Sequence, residues 1–335
     1  MKPKPIAVVT GGAGFIGSHM VDLLAIEGYS VRIVDNLVGG REANLALHRN
    51  NPDIVFEQTD IRNLKPGSSL FKDSQFVFHF AGIGDIVPSI ENPIEYMSTN
   101  VLGTVQVLEC ARAGAVKKLV YAASSSCYGL AGVPTKEDHK IQPQYPYALS
   151  KYQGEQVCFH WAQVYDLPIN SIRIFNAFGT RSRTSGAYGA VFGVFLRQKL
   201  AGKPFTVVGD GTQTRDFLYV TDVVNAFFKA ATTNLKGKVW NLGAGRPQSV
   251  NYLVQLLGGD AVYIPKRPGE PDCTFADISR IREDLGWTPE IPFEEGVKRI
   301  LENIDYWKEA PLWDPSSIAK ATETWFKFLD NSQTI

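Results

Sequence analysis

Short apolar runs alternate along the first half of the chain with segments whose apolar residues recur every three or four positions. The runs are rich in β-branched residues and bounded by turn-forming residues, which is typical of buried strands, whereas the longer period is typical of helices. Predicted strands occupy 6–10, 30–34, 53–57, 75–79, 117–123 and 169–174, and predicted helices occupy 93–113 and 147–165. This alternation predicts an α/β fold with a doubly wound parallel sheet.

The first predicted strand is followed by three spaced glycines, Gly11, Gly14 and Gly17, at the start of a helix. Gly11 permits a tight turn, Gly14 lets the backbone approach a pyrophosphate, and Gly17 allows close packing of helix on strand. The unpaired N–H groups of the helix N-terminus attract the anion. Spaced glycines alone are weak evidence, but a strand before them and a helix after them favour a dinucleotide site of the Rossmann type.

The second predicted strand ends in Asp35, about twenty residues after the glycines, where a carboxylate can accept hydrogen bonds from the adenosine ribose. A ribose 2′-phosphate would be repelled by that charge, so the sequence favours NAD over NADP. Arg32 and Arg41 lie near in sequence and could still receive a phosphate. The alternative is that Asp35 and Asn36 merely end a strand.

Composition limits the classes of partner. The 335 residues include 34 basic and 34 acidic side chains, so no net field would recruit nucleic acid or an anionic membrane surface. We find neither a signal peptide nor an apolar run approaching the ~20 residues of a membrane span, and expect a cytoplasmic protein. The four cysteines lack metal-ligand spacing, which predicts no metal site and suits reduced, mostly buried thiols.

Candidate catalytic residues lie near the fifth predicted strand and the helix after it. Tyr147 and Lys151 are four residues apart and therefore project from one face of the helix. A nearby ammonium favours the phenolate, so we expect the pKa of Tyr147 to fall below its usual value near ~10 and the phenol to act as a base. Ser124, at the end of a strand, could hydrogen-bond the same substrate oxygen. By itself, a Tyr-x-x-x-Lys spacing arises by accident about as often as not in a chain this rich in both residues.

Several motifs together resemble the extended short-chain dehydrogenase/reductases, specifically the NAD-dependent nucleotide-sugar epimerases and dehydratases. The likeness extends from about residue 5 to 305. Its motifs are Gly11-Gly-Ala-Gly14-Phe-Ile-Gly17, Asp35-Asn-Leu37, Asp60-Ile61, His79-Phe-Ala-Gly82, Asn100-Val-Leu-Gly-Thr104, Ser124-Ser-Ser-Cys-Tyr-Gly129, Tyr147-Ala-Leu-Ser-Lys151, Phe175-Asn176-Ala-Phe-Gly179, Arg215-Asp216-Phe217 and Arg267-Pro-Gly-Glu270.

The resemblance implies roles for individual residues. The expected catalytic residues are Ser124, Tyr147 and Lys151. The expected cofactor-binding residues are Gly11, Gly14, Phe15, Ile16, Gly17, Asp35, Asn36, Leu37, Gly40, Asp60, Ile61, Phe80, Ala81, Gly82, Asn100, Tyr147 and Lys151. The expected substrate-binding residues are Ser124, Ser126, Asn176, Val191, Arg215, Arg267 and Glu270. Forked guanidinium donors suit the oxygens of a nucleoside diphosphate.

The residues after Ser124 bear on the reaction. Similar dehydratases and decarboxylating members carry an acidic residue where this chain has Ser125 and Ser126. Removing water needs an acid and a base, and serine is poor at both. A 4-epimerase acting on a UDP-hexose or UDP-N-acetylhexosamine, with NAD retained, is therefore our leading interpretation. Another nucleotide-sugar dehydrogenase, reductase or 4,6-dehydratase is the second, and a non-catalytic dinucleotide sensor is the third.

After about residue 176 the sequence pattern changes: glycine-rich loops and shorter predicted elements follow. This change predicts a smaller substrate-binding α/β domain. Apolar runs at 217–220 and 239–242 are expected to return to the sheet edge. We therefore assign 1–176 and 216–243 to the NAD-binding domain. The discontinuous nucleotide-sugar-binding domain comprises 177–215 and 244–335, with a C-terminal helical extension. The resemblance also implies a homodimer formed through the helices near 93–113 and 147–165.

Overall fold

A seven-stranded parallel sheet dominates the structure, a computed structural model that describes residues 3–182 and 191–330. Its strands, in the order in which they lie side by side, are β11 (Val239–Leu242), β6 (Ile169–Ile174), β5 (Lys118–Ser124), β4 (Ser74–His79), β1 (Ile6–Thr10), β2 (Ser30–Asp35) and β3 (Ile54–Gln58). The order reverses at β1, so a crevice opens between the ends of β1 and β4, where such sheets bind ligands. The doubly wound fold is confirmed.

Helices cover both faces of this sheet and continue into the second lobe. They are α1 (Phe15–Ile26), α2 (Ile86–Glu91), α3 (Pro93–Met97), α4 (Gly103–Ala113), α5 (Pro146–Tyr165), α6 (Val191–Leu200), α7 (Val220–Thr232), α8 (Val250–Leu257), α9 (Ser279–Leu285), α10 (Phe293–Glu302) and α11 (Pro315–Leu329). A π-helical stretch, Ser98–Leu102, joins α3 to α4, so the single helix predicted over 93–113 is locally unwound rather than regular. None of the helices within the described residues combines the length and apolarity that crossing a bilayer requires.

Three small two-stranded sheets build the region beyond the main sheet. They pair β7 (Asn176–Phe178) with β10 (Phe217–Tyr219), β9 (Thr214–Arg215) with β12 (Gln248–Ser249), and β8 (Phe205–Val208) with β13 (Ala261–Ile264). The expectation that 239–242 joins the sheet edge is confirmed. The same expectation for 217–220 is wrong, because β10 pairs with β7 after the chain has left the main sheet.

Three apolar clusters hold these layers together. The first two lie on the two faces of the main sheet, and each is built from alternate residues of the strands with the helices that cover them. The third fills the second lobe and includes the fully buried Trp307. Residues 276–287 pack in the first cluster although they follow the last strand of the main sheet, so the chain returns to the half that contains this sheet.

Candidate active site

The glycine turn between β1 and α1 has no room for side chains. Gly11 adopts φ +71°, and a Cβ there would lie 2.7 Å from the backbone nitrogen of Ala81. A Cβ on Gly17 would collide with the carbonyl of Gly11, and one on Gly14 would lie 3.1 Å from that same oxygen. The turn is therefore closed tightly against the end of β4, with the N-terminus of α1 facing the crevice. This geometry fits a bound pyrophosphate.

Asp35 lies buried at the end of β2 and supports the same turn. Its carboxylate accepts hydrogen bonds from the backbone nitrogens of Ala13 (3.0 Å) and Leu37 (2.8 Å). Burial raises the pKa of Asp35, and these backbone donors partly offset the effect. A Cβ on Gly40 would lie 2.9 Å from a carboxylate oxygen, so the loop after Asn36 passes directly over the acid.

Arg32 and Arg41, the two arginines that could have received the 2′-phosphate of NADP, contact groups of the protein instead. Arg32 donates to the carbonyls of Ser69, Leu70 and Lys72 at 2.7 to 3.0 Å. Arg41 lies over the ring of Tyr306, with 5.3 Å from Cζ to the ring centroid. The side chains of both arginines thus contact groups other than Asp35, and the acid at the end of β2 favours NAD.

Asp60 follows β3 and lies beside the predicted adenosine region. Its carboxylate accepts from the Asn36 amide at 2.9 Å and from the guanidinium of Arg62 at 2.8 Å. The hydrogen bonds from Arg62 hold the pKa of Asp60 down, at about 2. Ile61, the next residue, is buried. Asp60 therefore fixes the loop of Asn36, whatever contact it makes with a cofactor.

A buried hydrogen-bond chain that sequence reasoning missed organises the loop after β4. The Thr10 hydroxyl lies 2.7 Å from Nδ1 of His79, and Nε2 of His79 lies 3.0 Å from the Thr104 hydroxyl. Thr104 donates to the carbonyl of Asn100 at 2.7 Å, so its oxygen accepts from Nε2–H, and His79 is neutral with its proton on Nε2. The backbone nitrogen of Ala81 donates to Thr10 at 3.3 Å. These hydrogen bonds thus link the loop after β4 to α4.

Asn100 stabilises the loop after β4 through hydrogen bonds to its backbone. Its side-chain oxygen accepts from the backbone nitrogen of Ile83 at 2.9 Å, and its amide donates to the carbonyl of Ile83 and to the Ser150 hydroxyl. A Cβ on Gly82 would lie 2.9 Å from the Asn100 side-chain oxygen, so Gly82 leaves space for this contact. Phe80 packs on Phe227, with ring centroids 4.7 Å apart. The cofactor contact predicted for Asn100 stays a prediction, and its observed contacts are internal.

Ser124, Tyr147 and Lys151 converge at the carboxyl end of β5. Burial raises the pKa of Tyr147, a hydrogen bond with the Ser124 side chain lowers it in part, and the nearby charge of Asp85 raises it further. Lys151 is buried, and its Nζ lies 4.5 Å from the centroid of the Tyr121 ring. Burial lowers its pKa to about 8. The expectation that Lys151 lowers the pKa of Tyr147 is wrong for the protein alone: burial raises that pKa, and the group that partly lowers it is the Ser124 side chain.

Ser126 extends the hydroxyl contacts away from Tyr147. The Ser124 hydroxyl donates to the Ser126 oxygen at 3.1 Å and accepts from the Ser126 backbone nitrogen at 3.2 Å. The Tyr145 ring stacks on Tyr147, with centroids 6.3 Å apart and planes inclined by 10°. Burial raises the pKa of Tyr145 to about 12, which a hydrogen bond with Ser126 partly opposes. The phenol of Tyr147 therefore lies between a serine and a second phenol.

Four of the predicted substrate residues, Asn176, Arg215, Arg267 and Glu270, lie beyond the main sheet. Arg215 donates to Glu270 at 2.7 Å, and the Nε of Arg267 lies 3.7 Å from the other carboxylate oxygen. That second oxygen is buried without a hydrogen bond, so it can accept one from a ligand. Arg215 and Glu270 line a cavity of about 320 Å³. Asn176 accepts a hydrogen bond from Thr274 at 2.6 Å beside it.

Val191 begins α6 and packs against the apolar cluster of the second lobe. It follows directly after a gap in the described residues. Its predicted contact with substrate stays a prediction.

Comparison with known proteins decides the family. Residues 7–243 match the family model described as the NAD dependent epimerase/dehydratase family. This chain belongs to that family. A protein of Methanocaldococcus jannaschii that carries the provisional name UDP-glucose 4-epimerase is 39% identical over 303 residues, covering 88% of this chain and 96% of the relative.

Two solved structures of UDP-sugar 4-epimerases resemble the fold closely, each covering 90% of this chain. One is a UDP-N-acetylglucosamine 4-epimerase from Methanobrevibacter ruminantium in complex with UDP-N-acetylmuramic acid, with TM-score 0.83, 31% identity and 100% of that chain covered. The other is a UDP-glucuronic acid 4-epimerase from Bacillus cereus in complex with UDP-glucuronic acid and NAD, with TM-score 0.83, 30% identity and 99% covered. As in the epimerase/dehydratase family generally, the cofactor is NAD.

Proposed function

We propose that this protein is a UDP-sugar 4-epimerase that acts on a UDP-hexose or UDP-N-acetylhexosamine and retains NAD through its cycle. The hydrogen bond between Ser124 and Tyr147 at the carboxyl edge of the sheet carries the proposal, because it aligns a proton acceptor in the crevice of an NAD-binding fold. The similar proteins named as UDP-sugar 4-epimerases support the same reaction.

In the proposed reaction, Tyr147 removes the proton of the sugar 4-hydroxyl and later returns it. Ser124 holds the same oxygen, since its hydroxyl already lies within reach of the phenol and is oriented by Ser126. NAD, when bound, would supply a hydride acceptor, and in its reduced form a hydride donor, for sugar C4. Lys151 supplies positive charge to the pocket. Because the 4-keto sugar must turn over between the two transfers, the pocket needs room around the sugar ring.

The remaining predicted residues are proposed to hold the two ligands. Asn176, Arg215 and Arg267 would bind the nucleoside diphosphate. The Glu270 oxygen that lacks a hydrogen bond would accept one from a ribose hydroxyl. Gly11, Gly14, Gly17 and Asp35 would hold NAD at the glycine turn, as their close packing supports. The other residues assigned to cofactor or substrate by resemblance stay predictions.

The other candidate reactions lack a supporting feature. Residues 125 and 126 are serines, so β5 is not followed by the acidic residue that the similar dehydratases carry. A dinucleotide sensor would not need the aligned Ser124–Tyr147 pair.

The test is incubation of the purified protein with a panel of UDP-, GDP-, CDP- and dTDP-sugars, with products followed by proton NMR and mass. Interconversion of 4-epimers without added NAD is expected. Tyr147→Phe should lower kcat by about 10²- to 10⁴-fold, because it removes the acid–base group. Tyr165→Phe, an exposed phenol at the end of the same helix, is the matched control.

Four outcomes of this test would refute the proposal. Wild-type turnover by Tyr147→Phe would remove the mechanism. Net consumption of NAD would favour a dehydrogenase, and loss of water would favour a dehydratase. Tight NAD binding with no turnover of any nucleotide sugar would favour the sensor.

Assembly and location are part of the same proposal. Ile94 and Leu102, on the helices near 93–113, are 83% and 62% exposed, and Leu149 on α5 is also exposed, which supports a homodimer formed through these helices. All four cysteines lie in the described residues and are free thiols, which supports a reducing, cytoplasmic location. The domain boundaries given above are also part of the proposal: β11 in the main sheet supports them, whereas residues 276–287 cross them by packing against the first cluster.

A further inference from the structure

The C-terminal helix α11 lies outside the residues matched by the family model, yet it is docked on the body of the protein. Ile318, Thr322 and Trp325 are buried on one face of it, at 2%, 3% and 6% exposure. Phe328, on another face, is 58% exposed. Asp314 caps the start of the helix by accepting from the Ser317 nitrogen at 2.8 Å.

The buried face of α11 contacts the loop that carries Arg267 and Glu270. The indole nitrogen of Trp325 donates to the carbonyl of Pro268 at 2.7 Å. The guanidinium of Arg267 lies over the indole ring, with 5.2 Å from Cζ to the centroid. A Cβ on Gly269 would lie 3.7 Å from the carbonyl of Leu329, at the end of the helix. One side chain, Trp325, therefore holds both the backbone of this loop and its arginine.

The same helix also reaches the NAD-binding half. Thr324, next to Trp325, donates to the carboxylate of Glu91 at 2.9 Å. Glu91 ends α2, which begins directly after Asp85, the acid that acts on the pKa of Tyr147. The helix thus joins the substrate loop of one lobe to the segment that borders the catalytic phenol in the other.

We propose that Trp325 is a positioning residue that sets the affinity of the protein for the nucleotide part of its substrate by fixing Arg267 and the 267–270 loop. The proposal rests on the function proposed above for Arg267. A free arginine loses rotamer freedom when it binds a phosphate, and its loop must be ordered at the same time. Because the indole of Trp325 already orders Arg267 and its loop in the free protein, less conformational entropy is lost when the nucleotide binds. The cation–π contact is with the ring face, so it holds the arginine without using another acidic side chain.

The experiment compares three full-length variants with the wild type in steady-state kinetics and in UDP binding by calorimetry. Trp325→Leu removes both contacts and should raise KM and the Kd for UDP about tenfold, while kcat stays within about twofold. Trp325→Phe keeps a ring face but loses the N–H donor, and should raise both values about threefold. Phe328→Leu, on the exposed side of the same helix, should change neither value.

Two further readouts separate positioning from general damage. The NAD content and the melting temperature of Trp325→Phe should match those of the wild type, and this variant carries the test should Trp325→Leu not fold. A folded Trp325→Leu protein with wild-type KM and UDP affinity would overturn the proposal, as would a fall in kcat with KM unchanged. If the wild type turns over no nucleotide sugar but its UDP affinity still depends on Trp325, the epimerase proposal fails and this one stands.

Discussion

The buried imidazole of His79 makes the stability of this protein dependent on pH in a way that one substitution can isolate. His79 is completely buried and neutral between Thr10 and Thr104. Burial, together with the positive charge of Lys151, lowers its pKa from 6.5 to about 3. In the unfolded chain the imidazole is free to take a proton near pH 6.5. The folded state therefore binds fewer protons at this residue between pH 6.5 and 3.

The sign and size of the effect follow from this difference. The stability that the folded protein gains by keeping His79 neutral is fully present above pH 6.5, the pKa of the imidazole in the unfolded chain. It is lost as the pH falls toward about 3, the pKa in the folded protein. At pH 5 the medium lies about 1.5 units below the unfolded pKa, and each unit is worth about 1.4 kcal/mol. The free energy of unfolding should therefore fall by about 2 kcal/mol between pH 7 and pH 5 because of His79 alone.

The assay is urea denaturation at pH 7 and pH 5, followed by tryptophan fluorescence, for the wild type and His79→Gln. At pH 7 the variant should be less stable by about 1 to 3 kcal/mol, because the buried hydroxyls of Thr10 and Thr104 lose their partner. Its further loss at pH 5 should be smaller than that of the wild type by about 2 kcal/mol. His160→Gln, at an exposed position, should leave the pH dependence unchanged. Equal pH dependence in His79→Gln and the wild type would refute the reasoning.

Two further substitutions test the supports of the site. Glu155→Gln breaks a buried ion pair with Arg173, whose guanidinium nitrogen lies 2.6 Å from the carboxylate. It should lower the free energy of unfolding, measured in urea, by about 3 to 5 kcal/mol because the buried guanidinium loses its anionic partner. Gly17→Ala places a methyl group against the carbonyl of Gly11, so it should displace the glycine turn, cost about 1 to 3 kcal/mol and reduce the NAD content of the purified protein.

Each of these substitutions has a matched control. Glu295→Gln removes the acid of an exposed pair with Arg299 and should change stability by at most about 0.5 kcal/mol. Gly132→Ala has only the imidazole of His139 within 4 Å, so it should be tolerated. Equal losses in Glu155→Gln and Glu295→Gln would contradict the importance of burial, and an unchanged NAD content in Gly17→Ala would contradict the close packing of the turn.

Sequence reasoning succeeded where the relevant interactions are local. The period of the apolar residues marks the strands of the main sheet, and the glycine turn needs only the spacing of Gly11, Gly14 and Gly17. The helical spacing of Tyr147 and Lys151 likewise follows from α5 itself. Such features depend on residues a few positions apart, whose relative placement is set by backbone geometry.

The interactions that sequence reasoning missed join distant parts of the chain. The chain through His79 links β1, β4 and α4, and Trp325 meets a loop that lies more than fifty residues earlier. The sign of the pKa shift of Tyr147 also depended on burial, which the spacing from Lys151 does not reveal. Burial raises this pKa and a hydrogen bond lowers it, and the stronger effect can be identified only when the burial of the phenol is known.

The residues Phe15 and Ile16 show how the nucleotide site and the second lobe depend on each other. The resemblance placed both in the cofactor motif, and in the structure both pack against the apolar cluster of the second lobe, while Ile16 also packs against the first cluster. They start α1, so the N–H groups at the helix end are positioned by contacts to both lobes. A shift of the second lobe would move the turn through these two side chains. The glycines therefore shape the turn between β1 and α1, and Phe15 and Ile16 connect this turn to the second lobe.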